Sequence, residues 1–109
     1  MTVNELSNND FLTPVVICDA GVEISGVYIG DLLSWVMNTL QEGQLWVTIM
    51  SNINILAVAS LKEASAIILA EGVKLPEDIQ ETAKAKGINV LSSTMPAYET
   101  AKKLSMLGF

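Results

Sequence analysis

The 109-residue sequence contains no arginine and no histidine. Six lysines are its only basic side chains, against twelve acidic ones, and the formal net charge is −6 at pH 7. Nucleic-acid binding requires a basic face, which this composition does not provide. The absence of arginine removes the side chain best suited to bidentate phosphate binding. The absence of histidine removes the usual general base near neutral pH.

Cysteine and long apolar runs are equally scarce. Cys18 is the only cysteine, which excludes an internal disulfide and a thiolate metal cluster. Neither a GxGxxG nor a GxxxxGK[ST] phosphate loop occurs. No apolar run, residues 55–59 included, approaches the ~18 residues of a membrane helix. The N-terminus lacks a basic segment and an apolar signal core. We therefore expect a cytoplasmic, non-enzymatic protein with no cofactor, metal, membrane or nucleic-acid partner.

What the sequence has in abundance is apolar residues, which make up 50% of the chain at a mean hydropathy of +0.44. Its length predicts one domain spanning residues 1–109. Two interpretations of the high apolar content remain open. Parallel strands are apolar on both faces, so the residues can belong to one α/β core. Alternatively, a second copy of the chain covers part of the apolar surface.

The segment from Gly43 to Gly72 carries the clearest fold signal. Residues 45–50 form an apolar run typical of a buried strand, and residues 66–70 form a second one. Between them, polar residues 51–54 are of the types that open helices, with the helix starting near Asn52. Two buried strands joined by a helix indicate a parallel pair. This pattern predicts an α/β domain built around a mostly parallel sheet.

The helix between these two strands is predicted to run from Ile53 to about Ala64. It should bury one face, while Ile55 and Val58 fall off that face and make a second surface apolar. The residues of the predicted inward face are Ile53, Leu56, Ala57, Ser60, Leu61 and Ala64.

Other elements follow from strand, capping and turn signals. Asp31 is predicted to be the N-cap of its helix, and Cys18 to be a buried, inert thiol at a strand end. The inward residues of the last two helices are predicted to be Ile79 and Ala83, then Ala97, Ala101 and Leu104. The predicted elements are a short helix within residues 1–12, strands over residues 14–18, 27–29 and 88–91, and helices over residues 32–41, 76–86 and from 96 onward.

The helix over residues 32–41 is apolar over about half its circumference, wider than the roughly 100° stripe of a surface helix. Three interpretations are open. The N-terminal segment covers this helix, or the helix forms a homodimer interface centred on Trp35, or it lines a ligand pocket.

Polar residues stand at the ends of the predicted strands. In open α/β sheets, ligands bind beyond the carboxyl ends of the strands. The same residue types also cap helices, so a binding cleft and capping alone both explain them. Asp31 and Glu71 could also act as a pair of catalytic carboxylates, but nothing in their spacing requires such a pair. The candidate ligand-binding residues are Asp31, Ser51, Asn52, Asn54, Glu71, Ser92, Ser93 and Thr94.

Three stretches of the chain resemble the DRTGG domain, which is similar to the N-terminal domain of HPr kinase/phosphorylase. They are ISGVYIGDLL (residues 24–33), WVTIMSNINILAVAS (46–60) and the segment over residues 66–104. The elements AIIL-x-EG and G-I-x-V-L-S-[ST] are the most telling. The resemblance covers nearly the whole chain. It departs from the Asp-Arg pair behind the family's name, because arginine is absent and the nearest polar turn reads Ser51-Asn52-Ile53-Asn54.

The resemblance implies a three-layer α/β sandwich, frequent homodimers and a regulatory or ligand-sensing role without catalysis. It does not extend to kinase activity, which in HPr kinase/phosphorylase belongs to a separate domain. Small stand-alone members resemble accessory proteins encoded beside iron hydrogenases in anaerobes. We therefore expect a regulatory domain that binds a small molecule or a protein partner at the strand ends. The alternative is a dimeric accessory subunit of a larger complex, without a small-molecule ligand.

Overall fold

The computed structural model describes residues 1–109 and contains five helices and five strands. From β2 onward, strands and helices alternate along the chain. The elements are α1 (Val3–Ser7), β1 (Thr13–Val16), β2 (Gly26–Ile29), α2 (Leu33–Thr39), β3 (Gln44–Thr48), α3 (Asn54–Lys62), β4 (Ala66–Leu69), α4 (Glu77–Lys86), β5 (Val90–Ser92) and α5 (Ala97–Met106).

The strands form one five-stranded sheet in the order β1-β5-β4-β3-β2. Strands β2 to β5 are parallel to one another, and only β1 runs antiparallel to its neighbour β5. The predicted α/β fold around a mostly parallel sheet is confirmed. The predicted strands and helices all have counterparts in the structure, with ends that shift by a few residues.

Alternation along the strands divides the core into two layers. Trp46 of β3 packs against α2, α3 and α4 on one face of the sheet. Its neighbours Leu45 and Val47 point to the opposite face, where Val3 of α1 and Leu104 of α5 complete a second cluster. The molecule therefore has three layers, with helices on both faces of the sheet. None of its helices is long and apolar enough to cross a membrane.

The inward face predicted for the central helix is wrong. In α3 the buried residues are Ile55, Leu56, Val58 and Ala59, whereas Ile53, Ala57, Ser60 and Leu61 are exposed. The helix has apolar residues on every side, so the spacing of apolar residues does not indicate which face is buried. Packing between α2 and α4 selects it instead.

Burial of the flanking helices follows the prediction more closely. Ile79 and Ala83 are the buried residues of α4, as predicted. In α5, Leu104 is buried as predicted, but Ala97 and Ala101 are half-buried and Thr100 is fully buried.

Cys18 is exposed, so its predicted burial is wrong. The reason is that β1 ends at Val16 and is an edge strand, so Cys18 lies in the turn beyond the sheet. Coverage of α2 by the N-terminal segment is also wrong, because α1 packs against the opposite face of the sheet from α2.

Candidate functional site

The carboxyl ends of β2, β3, β4 and β5 share one edge of the sheet, which we call the carboxyl edge. Asn52 follows β3 and Ser93 follows β5, so both lie at this edge, as the sequence predicted. Because β1 is antiparallel, its first residue, Thr13, also lies here, opposite Ser92.

Asp31 ties two of these strand ends together. Its Oδ1 accepts hydrogen bonds from the Thr48 hydroxyl at 2.8 Å and from the Ile49 amide at 3.0 Å. The prediction that Asp31 caps a helix is wrong, because α2 has Leu32 as its N-cap and no side-chain capping bond. The carboxylate bonds to the end of β3 instead of to the first turn of the helix.

The polar turn after β3 is organised locally. Asn52 Oδ1 accepts a hydrogen bond from the Asn54 amide at 2.9 Å, at the start of α3. Asn52 and Asn54 are exposed, and Ser51 is half-buried. This arrangement supports the turn into the helix and leaves the side-chain carboxamide of Asn54 exposed to solvent.

The turn after β5 is held by a buried hydroxyl pair. Ser93 is 1% exposed, and its Oγ lies 2.9 Å from Thr100 Oγ1 on α5. It also accepts a hydrogen bond from the Met95 amide at 3.1 Å. Thr94 is exposed and Ser92 is half-buried. Of these three residues, Ser93 is therefore committed to the fold, and the other two remain open to a ligand.

Glu71 stands between these turns, after β4. Its φ of 62° is left-handed, and Gly72 follows at 68°. The Glu71 amide donates to the Met95 carbonyl at 2.8 Å, and the Gly72 amide donates to the Ser93 carbonyl at 2.9 Å. These bonds fasten the end of β4 to the end of β5 and leave the Glu71 side chain exposed. That the eight predicted residues bind a ligand stays a prediction.

A cavity of about 320 Å³ opens at the carboxyl edge beside β1 and β5. We call it the carboxyl-edge cavity. Of the predicted ligand-binding residues, Ser92 alone lines it. The residues that line it are Thr13, Pro14, Val15, Val73, Lys74, Leu75, Gln80 and Ser92.

The cavity brings together polar groups that a small molecule can use. Ser92 and Thr13 contribute hydroxyls, and Lys74 contributes an ammonium group that forms no ion pair. The Gln80 Nε2 donates to the Leu75 carbonyl at 2.8 Å, which leaves Oε1 as a free acceptor. The volume is at the lower end of the roughly 300–1,000 Å³ of ligand pockets.

Sequence reasoning missed Thr13, Lys74 and Gln80 because β1 had no assigned partner or direction. Thr13 reaches the cavity through antiparallel pairing with β5, which no local pattern shows. Lys74 lies in the loop between β4 and α4, three residues before the helix begins, and a basic residue in a loop at the strand ends was the available signal.

The structure contains no group of three or more His, Cys, Asp or Glu side chains placed to hold a metal ion. A hydrogen bond from the Thr2 amide lowers the pKa of Glu5, and a hydrogen bond shared with Glu42 raises the pKa of Glu63. Glu5 and Glu63 both lie outside the carboxyl-edge cavity.

A second feature of the carboxyl edge is a group of five exposed apolar side chains in the segments at and after the ends of β2 and β3, which we call the rim patch. Trp35 is its largest member and is 66% exposed. The hydrogen bond from the Ile49 amide to Asp31 holds these two chain segments side by side. The rim patch consists of Ile29, Leu32, Trp35, Ile49 and Ile53.

A search of solved structures identifies a similar fold in the CBS and DRTGG domains of the regulatory region of Clostridium perfringens pyrophosphatase, complexed with its activator, diadenosine tetraphosphate. The TM-score is 0.64 at 15% identity, a likeness that shows the fold alone. The match covers 84% of this chain and 40% of the other. No curated protein matches the chain. A family model described as the DRTGG domain matches residues 15–107, and the chain therefore belongs to the DRTGG domain family.

Proposed function

We propose that this protein is a non-enzymatic, cytoplasmic regulatory domain that binds a small polar molecule in the carboxyl-edge cavity. The observation that carries the proposal is the convergence of Ser92, Thr13, Lys74 and Gln80 on one cavity at the sheet edge where α/β folds bind ligands. Membership of the DRTGG family supports a regulatory role, since the similar structure is a regulatory region.

The charge of the cavity favours a ligand with an anionic group. Lys74 is its only charged lining residue. Without arginine, the site has one point charge and several hydroxyl or amide groups, which suits a single phosphate or carboxylate better than a polyphosphate. The pyrophosphatase regulatory region is complexed with a dinucleotide activator. Adenine nucleotides are therefore the first probes.

The exposed polar residues further along the carboxyl edge extend the proposed site. Glu71 offers carboxylate oxygens and Thr94 offers a hydroxyl. Asn52, Asn54 and Ser51 lie farther along the same edge, beyond β4. Asp31 and Ser93 would act indirectly, by holding the strand ends that shape the site.

The test is calorimetric titration of the protein with AMP, ATP, diadenosine tetraphosphate and inorganic phosphate. Lys74→Ala and Ser92→Ala should each weaken binding of the best probe by about tenfold, as expected for loss of one good polar contact. Lys102→Ala, an exposed lysine of α5, is the matched control and should leave affinity unchanged. Equal affinity in all three variants would place the ligand elsewhere.

The rim patch favours a second candidate, an interaction subunit that self-associates without a small-molecule ligand. The occupant we propose is a second copy of this chain. Each copy has a net charge of −6, so electrostatic repulsion between two copies opposes contact over most of the surface. Between residues 26 and 61, which contain the rim patch, only Asp31 and Glu42 are charged. An apolar, charge-poor surface of this kind is typical of homodimer interfaces.

Light scattering at micromolar concentration tests this candidate. A dimer that Trp35→Ala converts to a monomer supports it, and small-molecule binding should then survive the substitution. Tyr98→Ala, an exposed aromatic on α5, is the control and should leave the dimer intact. A monomeric wild type would contradict the candidate, including its version as a dimeric accessory subunit of a hydrogenase-type complex.

A further inference from the structure

The opposite edge of the sheet, where the parallel strands begin, contains a second cavity of about 170 Å³. We call it the amino-edge cavity. Ser65 and Asn89, which directly precede β4 and β5, line it together with residues at the C-terminal ends of α3 and α4. It shares no residue with the carboxyl-edge cavity.

Ser65 is the unusual residue of this cavity. It is 3% exposed, and its Oγ is buried with no hydrogen-bond partner. Buried hydroxyls are nearly always paired, because an unpaired one loses its bonds to water without replacement. Ser65 Oγ is the only buried side-chain polar atom of the protein in this condition.

Asn89, the other residue at a strand start in this cavity, has no free hydrogen-bonding capacity in its side chain. Its Oδ1 accepts from the amides of Cys18 and Asp19 at 2.8 and 2.9 Å. Its Nδ2 donates to the carbonyls of Asp19 and Ser65 at 2.8 and 3.0 Å. Asn89 therefore shapes the cavity wall, and the Ser65 hydroxyl is the buried group left for a ligand.

Charges of both signs surround the opening. Asp19 and Glu63 contribute carboxylates, Lys86 contributes an ammonium group, and none of the three forms an ion pair. The C-terminal ends of α3 and α4 add partial negative charge, which favours a cationic group nearby. A simple cation would be repelled by Lys86, and a simple anion by the carboxylates. A zwitterion is complementary to both.

The volume limits the size of that zwitterion. A cavity of about 150 Å³ holds benzene, so 170 Å³ accommodates roughly six or seven non-hydrogen atoms. Alanine and serine are of this size and carry an ammonium and a carboxylate on one carbon.

We infer that the amino-edge cavity binds a small zwitterionic amino acid. The ammonium group of the bound amino acid lies toward Asp19, Glu63 and the C-terminal ends of α3 and α4. The carboxylate of the amino acid lies toward Lys86. The Ser65 hydroxyl supplies a hydrogen bond from the cavity wall. That oxygen is shielded from solvent, so the serine side chain must rotate toward the opening to form this bond.

The experiment is a titration of the protein with L-alanine and L-serine, followed by amide chemical shifts in NMR spectra. Saturable shifts at Ser65, Lys86 and Asn89 are expected at concentrations up to about 20 mM, the range of a weak small-molecule site. Ethylamine and acetate, which carry one charge each, should bind at least tenfold more weakly. Absence of saturable shifts, or equal binding of either single-charge probe, would overturn the inference.

Variants separate binding from folding. Lys86→Gln should weaken amino-acid binding about tenfold, and the exposed Lys102→Gln should leave it unchanged. Ser65→Ala should weaken binding while leaving thermal stability equal or higher, because it removes an unpartnered polar atom. Loss of stability in Ser65→Ala, or unchanged affinity in Lys86→Gln, would contradict the assignment. Neither result bears on the carboxyl-edge cavity.

Discussion

The Thr48 hydroxyl donates a 2.8 Å hydrogen bond to Asp31, and so joins the turn after β2 to the end of β3. Thr48 is buried and Asp31 is exposed, so the bond spans the boundary between core and solvent. A similar bond occurs at the end of β5, where the Ser93 hydroxyl pairs with the Thr100 hydroxyl of α5. The polar residues of the carboxyl edge are therefore of two kinds, those that fasten strand ends and those that remain available.

Asp31→Ala tests whether the polar residues that join strand ends stabilise the fold. Loss of both hydrogen bonds should lower the free energy of unfolding by about 1–2 kcal/mol, because the buried Thr48 hydroxyl loses its acceptor. Urea denaturation of the variant and of Asp10→Ala measures this. Asp10 is exposed and forms no side-chain hydrogen bond, so its removal should change stability by less than about 0.5 kcal/mol. Equal effects would show that the Asp31 bonds contribute nothing.

Ser92 and Ser93 are neighbours with opposite expected roles. Ser93→Ala should cost about 1–2 kcal/mol of unfolding free energy, since it removes the partner of Thr100 and of the Met95 amide. Ser92→Ala should cost less than about 0.5 kcal/mol, because Ser92 is half-buried and its hydroxyl bonds to no protein group. Chemical denaturation of the two variants provides the comparison. A larger loss in Ser92→Ala would reverse our assignment of the two residues.

Asn89 should be among the most sensitive positions in the protein. Asn89→Ala removes four hydrogen bonds that hold the turn after β1 against the start of β4, and we expect a loss of about 3 kcal/mol. Asn38→Ala, at an exposed position on α2, is the control. Chemical denaturation gives the free energy of unfolding of both variants. A loss below about 1 kcal/mol for Asn89→Ala would show that hydrogen bonds to water replace the four bonds of Asn89.

Glu63 should make stability depend on pH above the ordinary carboxyl pKa of 4.5. Its pKa is raised by a hydrogen bond shared with Glu42, then by the Coulombic repulsion between the two carboxyls and by desolvation. The folded state therefore binds the proton more tightly than the unfolded state, so this contribution to stability decreases as pH rises through the folded pKa. Glu42→Gln should stabilise the protein at pH 7.

Thermal unfolding of Glu42→Gln and wild type from pH 4 to 7 measures the effect. The difference should shrink as pH falls toward and below 4.5, because Glu63 is then protonated in the folded state and increasingly protonated in the unfolded state. Glu99→Gln, at an exposed position on α5, is the control for the loss of one negative charge. Glu5 acts in the opposite sense. Its pKa is lowered, mainly by the backbone hydrogen bond from Thr2, and its contribution is lost as pH falls below 4.5.

Much of the fold could be predicted from local pattern. The apolar runs around Trp46 and Ile67 are strands buried on both faces, and the capped, charged segment after Pro76 is a solvated helix. In such segments the composition and the spacing of apolar residues predict which side chains are buried. The inward face of α3 could not be predicted, because Ile53 and Ile55 are equally apolar and only neighbouring helices decide which is covered.

The candidate site was predictable as an edge but not as a cavity. Polar residues at the carboxyl ends of parallel strands meet at one edge whatever the strand order, which is why Asn52 and Ser93 fall on the same side. The cavity itself needs Thr13 and Lys74 beside Ser92. That juxtaposition depends on β1 pairing antiparallel with β5, a long-range contact that leaves no signature in either segment.

Mapping the bound ligand on the protein tests the central claim most directly. Amide chemical shifts should be followed while AMP, ATP, diadenosine tetraphosphate and inorganic phosphate are added in turn. We expect saturable shifts confined to Thr13, Lys74, Gln80, Ser92 and their neighbours, and saturation at about tenfold higher ligand concentration in Lys74→Ala. Shifts centred on Trp35 or on Ser65 instead, or no saturable shift with any of the four probes, would contradict a ligand-sensing carboxyl edge.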